Sequence, residues 1–157
     1  MARTATIHPR TTTLPNGTRV IRAANDNVPE WRLQSAAVRA LRSMRGYGDE
    51  WRDGVTFTIA GDFNAARRSP SEATKAKATG LATGEEDLRV YAEGGRLLLI
   101  EMKGAKTPVS PEQKKRHALH RGLGFQVEVV RAATEADAAE QVCSVVRRWL
   151  AEDGGTQ

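Results

Sequence analysis

The sequence predicts an α/β domain: a mixed sheet flanked by helices, in the order helix, three strands, helix, strand, helix. Three observations predict it. An amphipathic pattern runs over residues 29–44, two short β-like runs are broken by Glu93-Gly94-Gly95, and an alternating stretch from Phe125 to Val130 leads into a second apolar helical stripe.

At 157 residues the chain has the length of one domain with a modest core. A net charge of +5 and a pI near 9.8 suit an acidic polymer such as nucleic acid as partner. A single cysteine, Cys143, excludes an intramolecular disulfide framework, and no Cys/His group has zinc spacing. No apolar run approaches a membrane span, and the first residues hold scattered arginines in place of an apolar signal segment. A soluble, cytoplasmic protein with no membrane partner is expected.

Residues 1–28, rich in Thr, Arg, Asn and Pro, read as a mobile basic arm in which Leu14-Pro15-Asn16-Gly17-Thr18 is a turn signal for a small hairpin. Residues 1–48 carry eight arginines against Asp26 and Glu30, a balance of +6 that can hold a phosphate backbone without reading sequence. A single folded domain is expected over residues 29–152, followed by a disordered tail at 153–157.

The first helix takes its amphipathic pattern from Trp31, Val38 and Leu41 with Ala36, Ala37 and Ala40, and Gly46 and Gly48 end it. Asn27 and Glu30 fit a capping box at its start. Val55 to Ile59 is strand-like. The polar, basic stretch from Gly61 to Thr79, with Arg67, Arg68, Lys75 and Lys77, reads as a substrate-contacting excursion with a short helix after Ser69-Pro70.

Val90-Tyr91 and Leu97 to Ile100 form the two arms of a hairpin. A three-residue loop, Glu93 to Gly95, pairs Ala92 with Arg96 and sets Asp87 opposite Glu101. A two-residue Gly94-Gly95 loop sets Asp87 opposite Met102 and turns Glu101 to the other face. The odd loop is the expected one. Opposed carboxylates repel across a sheet, which points to a cation between them, and Lys103 shares the face of Glu101. A solvated hairpin end with scattered charges explains the same spacing without chemistry.

Beyond the hairpin, residues 104–109, with Lys106, form a basic loop, and Ser110-Pro111-Glu112-Gln113 opens a helix with the residues of a capping box. That box accounts for Gln113 with no catalytic role. The helix carries Lys114, Lys115, Arg116, His117, His120 and Arg121, so residues 103–121 hold six Lys/Arg against Glu112. His117 and His120 have the i, i+3 spacing of metal ligands but no evident third partner, which favours phosphate contact or plain exposure. The strand from Phe125 is expected beside the Glu101 strand. Thr134 then opens a helix whose stripe Ala138, Val142, Val145, Val146, Trp149 and Leu150 faces the sheet or a second subunit.

Four segments together, Gly80 to Leu88, Ile100-Glu101-Met102-Lys103-Gly104, Ser110 to Gln113 and Gly122 to Phe125, resemble the VRR-Nuc family of the PD-(D/E)XK nuclease superfamily, over roughly residues 29–131. Glu86 departs from the pattern, which has proline before the aspartate. The resemblance implies a restriction-endonuclease-like αβββαβ core. It also implies a Mg²⁺ ion, or Mn²⁺ in its place, held by Asp87, Glu101, the main-chain carbonyl of Met102 and Glu30, with Lys103 and Gln113 completing the catalytic group.

Arg67, Arg68, Lys106, Lys114, Lys115 and His117 are the expected nucleic-acid contacts. Compact members of the family look like phage and prophage homodimers that cut branched DNA, Holliday junctions included, so a structure-selective endodeoxyribonuclease acting as a homodimer is expected. The alternatives are a monomeric nuclease for flaps, ends or single strands, and an inactive DNA-binding accessory protein.

Overall fold

The computed structural model describes residues 10–13, 19–22, 28–62 and 70–152. Strands β1 (Arg10–Thr13) and β2 (Arg19–Arg22) pair antiparallel as a separate two-stranded sheet on either side of the Leu14 to Thr18 turn signal. The expected contacts Arg67 and Arg68, and the tail from 153, lie outside the described residues.

The domain itself runs α1 (Glu30–Arg42), β3 (Phe57–Gly61), α2 (Pro70–Ala78), β4 (Leu88–Ala92), β5 (Arg96–Gly104), α3 (Pro111–Gly122), β6 (Gln126–Ala132) and α4 (Glu135–Ala151). The sheet order is β3-β4-β5-β6. Its first three strands are antiparallel, and β6 joins β5 parallel after the α3 crossover, so the sheet is mixed. This is the predicted α/β architecture.

The β4–β5 turn decides the register. Glu93–Gly95 forms one 3₁₀ turn in which Gly94 and Gly95 take φ of 72° and 73°, a region open to glycine without a Cβ penalty. Ala92 therefore pairs with Arg96 and Leu88 with Ile100, the odd-loop register, and positions 87 and 101 follow just beyond its last pair.

Alternation along β5 then divides two environments. Leu98, Ile100 and Met102 are fully buried in the main core with Leu33, Ala37 and Leu41 of α1 and Val142, Val146 and Trp149 of α4. Leu99, Glu101 and Lys103 take the opposite face, where α3 lies. Truncating a core residue such as Leu41 to Ala costs roughly 2–5 kcal/mol, from lost transfer energy and the cavity left behind.

Two details of α1 differ from the sequence reading. Leu33 takes the core position and Trp31 is 57% exposed, because the Ala-rich segment supports overlapping apolar stripes and the sheet meets the one through Leu33, Ala37 and Leu41. Pro29 is the N-cap, with no side-chain cap, and Asn27 lies outside the described residues; Glu30, now the first helical residue, has its carboxylate free for other partners.

Candidate active site

The end of β5 collects the site. Glu101 and Lys103 share a face by strand periodicity, and Lys103 Nζ lies 3.0 Å from Oε1 of Glu101 and 3.2 Å from Oε2 of Glu30. Glu30 also accepts from the Gly104 amide at 3.3 Å, which anchors the start of α1 to the end of β5. Asp87, at the entry to β4, accepts through Oδ2 from the Met102 amide at 2.7 Å. A strand residue directs its N–H and C=O toward the same edge, so the Met102 carbonyl leaves β5 on the side of Asp87.

Gln113 serves two purposes with one amide. Its Oε1 accepts from the Ser110 amide and its backbone N–H donates to the Ser110 hydroxyl, completing the capping box, while Nε2 donates to Oε1 of Glu101 at 2.5 Å. Gln34 was not singled out by sequence reasoning as a site residue. From α1 it donates to the main-chain oxygens of Asp87 at 2.9 Å and Asp62 at 3.3 Å, so it fixes the backbone that carries the aspartate. Its only sequence signal is a polar side chain within the helical stripe, four residues after Glu30.

Electrostatics follow from burial. Desolvation, reinforced by the charge of Glu101, pushes Asp87 up to about 7. Glu101 is raised for the same first reason, burial, although Lys103 opposes it. Burial works to lower Lys103, but its hydrogen bond to Glu101 and the charges of Glu101 and Glu30 outweigh that and raise it, so it stays an ammonium at neutral pH. Among the described residues, Oε2 of the buried Glu101 has no hydrogen-bond partner.

Two crowded carboxylates, each held back from ionising, and an orphaned carboxylate oxygen fit a hard divalent cation. Asp87, Glu101 and the Met102 carbonyl are residues that could hold it. Glu30 is engaged by Lys103.

A cleft of about 760 Å³ opens beside this group, lined by Lys77, Thr83, Lys103, Pro108 and Gln113 among others. Lys106, Lys114 and Lys115 are exposed, as phosphate contacts must be. His117, expected among those contacts, is only 3% exposed: Nε2 lies 3.6 Å from Oε2 of Glu101 and 3.9 Å from Oε1 of Glu86. Burial lowers its pKa, so it is a neutral ring beneath the site and not a phosphate ligand.

Glu86 is itself fully buried, with Oε1 2.9 Å from Nδ1 of His120. Neighbouring Glu85 holds Arg89 at 3.0 Å and Arg116 at 2.5 Å, and these two partners outweigh burial and lower its pKa.

A solved structure titled "VRR_NUC domain protein" superposes on this chain with a TM-score of 0.54 at 21% identity, over 78% of this chain and 88% of that one. The chain has the VRR_NUC fold. A second solved structure, titled "VRR_NUC domain", covers 76% of this chain and 96% of its own at 20% identity and a TM-score of 0.47. No family model matches the sequence, and no curated protein matches it. Among the described residues of this VRR_NUC fold, no helix is long and apolar enough to cross a membrane.

Proposed function

We propose that the protein is a divalent-metal-dependent nuclease that hydrolyses phosphodiester bonds in DNA, with branched DNA as its substrate class. The observation that carries the reading is the arrangement at the end of one hairpin, where Asp87 accepts from the Met102 amide, Lys103 pairs with Glu101, and a cleft of about 760 Å³ opens beside Lys103 and Gln113. Asp87, Glu101 and the Met102 carbonyl hold Mg²⁺, or Mn²⁺ in its place, and Glu30 lies at the edge of the group. Bound there, the ion supplies a Lewis acid for the phosphate and an acidified water.

The chain's own residues do the rest. Lys103 has three N–H donors and two carboxylate partners, so one donor remains for the attacking water or the phosphate oxygen. Because its pKa is raised it acts as a fixed positive charge that offsets charge growing on phosphorus, not as a base. Gln113 orients Glu101 from the helix cap, and Gln34 holds the Asp87 backbone.

Lys106, Lys114 and Lys115, with Arg67 and Arg68, supply phosphate contacts that carry no sequence information, so DNA shape is what is recognised. Paired incision of a four-way junction needs two such sites. The working unit is therefore a homodimer, in the cytoplasm.

The test is incision of labelled four-way junctions, flaps and linear duplex by the wild type, Asp87→Ala and Lys103→Ala, with the protein sized in solution. Metal-dependent nicking of branched DNA by the wild type alone, with binding kept by Lys103→Ala, is expected. Junction binding without nicks in either metal contradicts the catalytic reading, and flap or end cutting by a monomer contradicts the substrate class.

A further inference from the structure

Beneath the candidate active site lies a second polar group that the proposed hydrolysis does not use. Ligand atoms of Glu85, Glu86 and His120 all lie within 4.8 Å of one another. Glu86 is 0% exposed and His120 8%. Among the described residues, Oε2 of Glu86 and Nε2 of His117, 3% exposed, have no hydrogen-bond partner. A buried carboxylate oxygen and a buried imidazole nitrogen left unpaired are costly unless an ion or water completes them.

The spacing discriminates. Two ligands on one zinc-sized ion stand at most about 4.2 Å apart, twice a bond of roughly 2.1 Å. Nδ1 of His120 lies 2.9 Å from Oε1 of Glu86, Nε2 of His120 lies 3.8 Å from Oε1 of Glu85, and Nε2 of His117 lies 3.9 Å from Oε1 of Glu86. The contacts of Glu86 with Nδ1 of His120 and with Nε2 of His117 fall inside that limit. Glu85 lies on the side of the other His120 ring nitrogen, which cannot bind the same ion, and joins the group only through the 4.8 Å spread of one ligand atom from each residue. Arg89 and Arg116 already hold Glu85, but each carboxylate oxygen has a second lone pair, so an arginine and a metal can share it.

We propose that Glu86, His120 and Glu85 hold a second divalent cation, of the borderline type that accepts imidazole with carboxylate, such as Zn²⁺ or Mn²⁺, with His117 alongside. Nε2 of His117 also lies 3.6 Å from the unpaired Oε2 of Glu101, so His117 and Glu101 link this ion to the first centre. The sequence reading of His117 and His120 lacked a third ligand, and the turn before β4 supplies it in Glu86, where the related pattern has proline.

The inference does not rest on nuclease activity and is tested by metal binding. Zn²⁺ is titrated by calorimetry into the Asp87→Ala protein, in which the first centre is disabled, and Co²⁺ is followed by its visible absorption. One bound ion is expected, weakened by about tenfold or more when Glu86→Gln or His120→Ala is added, with loss of the Co²⁺ bands. Thermal unfolding establishes that each variant is folded. If neither is, selective broadening of the His120 ring resonances by Mn²⁺ in the Asp87→Ala protein supports the site, and its absence overturns it. No ion bound by the Asp87→Ala protein, or one whose affinity ignores both added substitutions, also overturns the proposal and leaves a buried water as occupant.

Discussion

Gln113 Nε2 donates to Oε1 of Glu101 at 2.5 Å while the same side chain closes the cap of α3. Helix stability and site geometry therefore share one residue, and substitution separates them. Ser110→Ala removes the hydroxyl of the cap but leaves the Glu101 contact in place. It is expected to lower stability by about 1 kcal/mol with little change in rate. Gln113→Ala loses both, and its kcat is expected to fall at least about tenfold more than that of Ser110→Ala. Chemical denaturation and single-turnover incision, measured on both variants, check this.

Asp87 gives the metal-free protein a defined pH response. Its folded pKa of about 7 lies above the ordinary aspartate value of 3.8, so between those values the folded state binds more protons than the unfolded state. Stability contributed by neutral Asp87 is present below about 4 and is lost as pH rises through about 7. Asp87→Asn flattens that slope, and the variant is the more stable protein above pH 7 by on the order of 1 kcal/mol. Unfolding curves in chelator across pH 4–8 measure it. Divalent-metal affinity runs the opposite way and rises to about pH 7, because the ion competes with the proton.

Gly84 sits where α3 meets the turn before β4. Its φ is +84°, and a Cβ there would stand 2.9 Å from the backbone of Glu112 and Gln113. Gly84→Ala is expected to destabilise the fold by more than about 1 kcal/mol and to displace Gln113 from Glu101. Loss of activity that exceeds the loss of folded protein, read by near-UV circular dichroism beside the incision rate, is the expected signature. An active, fully stable variant would show that this contact does not set the position of α3.

Lys103 is a charge between two carboxylates, and arginine cannot replace it. Its Nζ fits within 3.0 Å of Glu101 and 3.2 Å of Glu30 at 5% exposure, and a planar guanidinium is too large and too fixed in shape for that position. Lys103→Arg is expected to lose at least about a hundredfold in rate while keeping junction affinity within a few fold. Parallel rate and gel-shift measurements decide it.

Much of this site was legible in the sequence, because hairpin register follows from turn chemistry. Gly94 and Gly95 admit a turn that few residues tolerate, and that turn set the register that pairs Ala92 with Arg96 and Leu88 with Ile100. The capping box at Ser110 was equally legible, being a local pattern with one geometry.

Burial across elements was not legible. His117 reads as one of a run of basic residues on a helix, yet packing of α3 on the sheet turns it inward to Glu101 and Glu86. The roles of Gln34 and Glu86 depend on partners 53 and 34 residues away in sequence, which no local pattern encodes. Glu30 matched a capping box that Pro29 displaces, and the ion pair with Lys103 emerged only from the fold.

The central claim is that a divalent ion between Asp87 and Glu101 drives hydrolysis, and its most direct measurement is strand incision of a labelled four-way junction across a Mg²⁺ titration. Wild type, Asp87→Ala and Glu101→Ala are compared at equal folded concentration. The account predicts saturable, metal-dependent nicking by the wild type and a loss of at least about a thousandfold in each variant. Nicking that survives in either variant, or that proceeds equally in chelator, contradicts it.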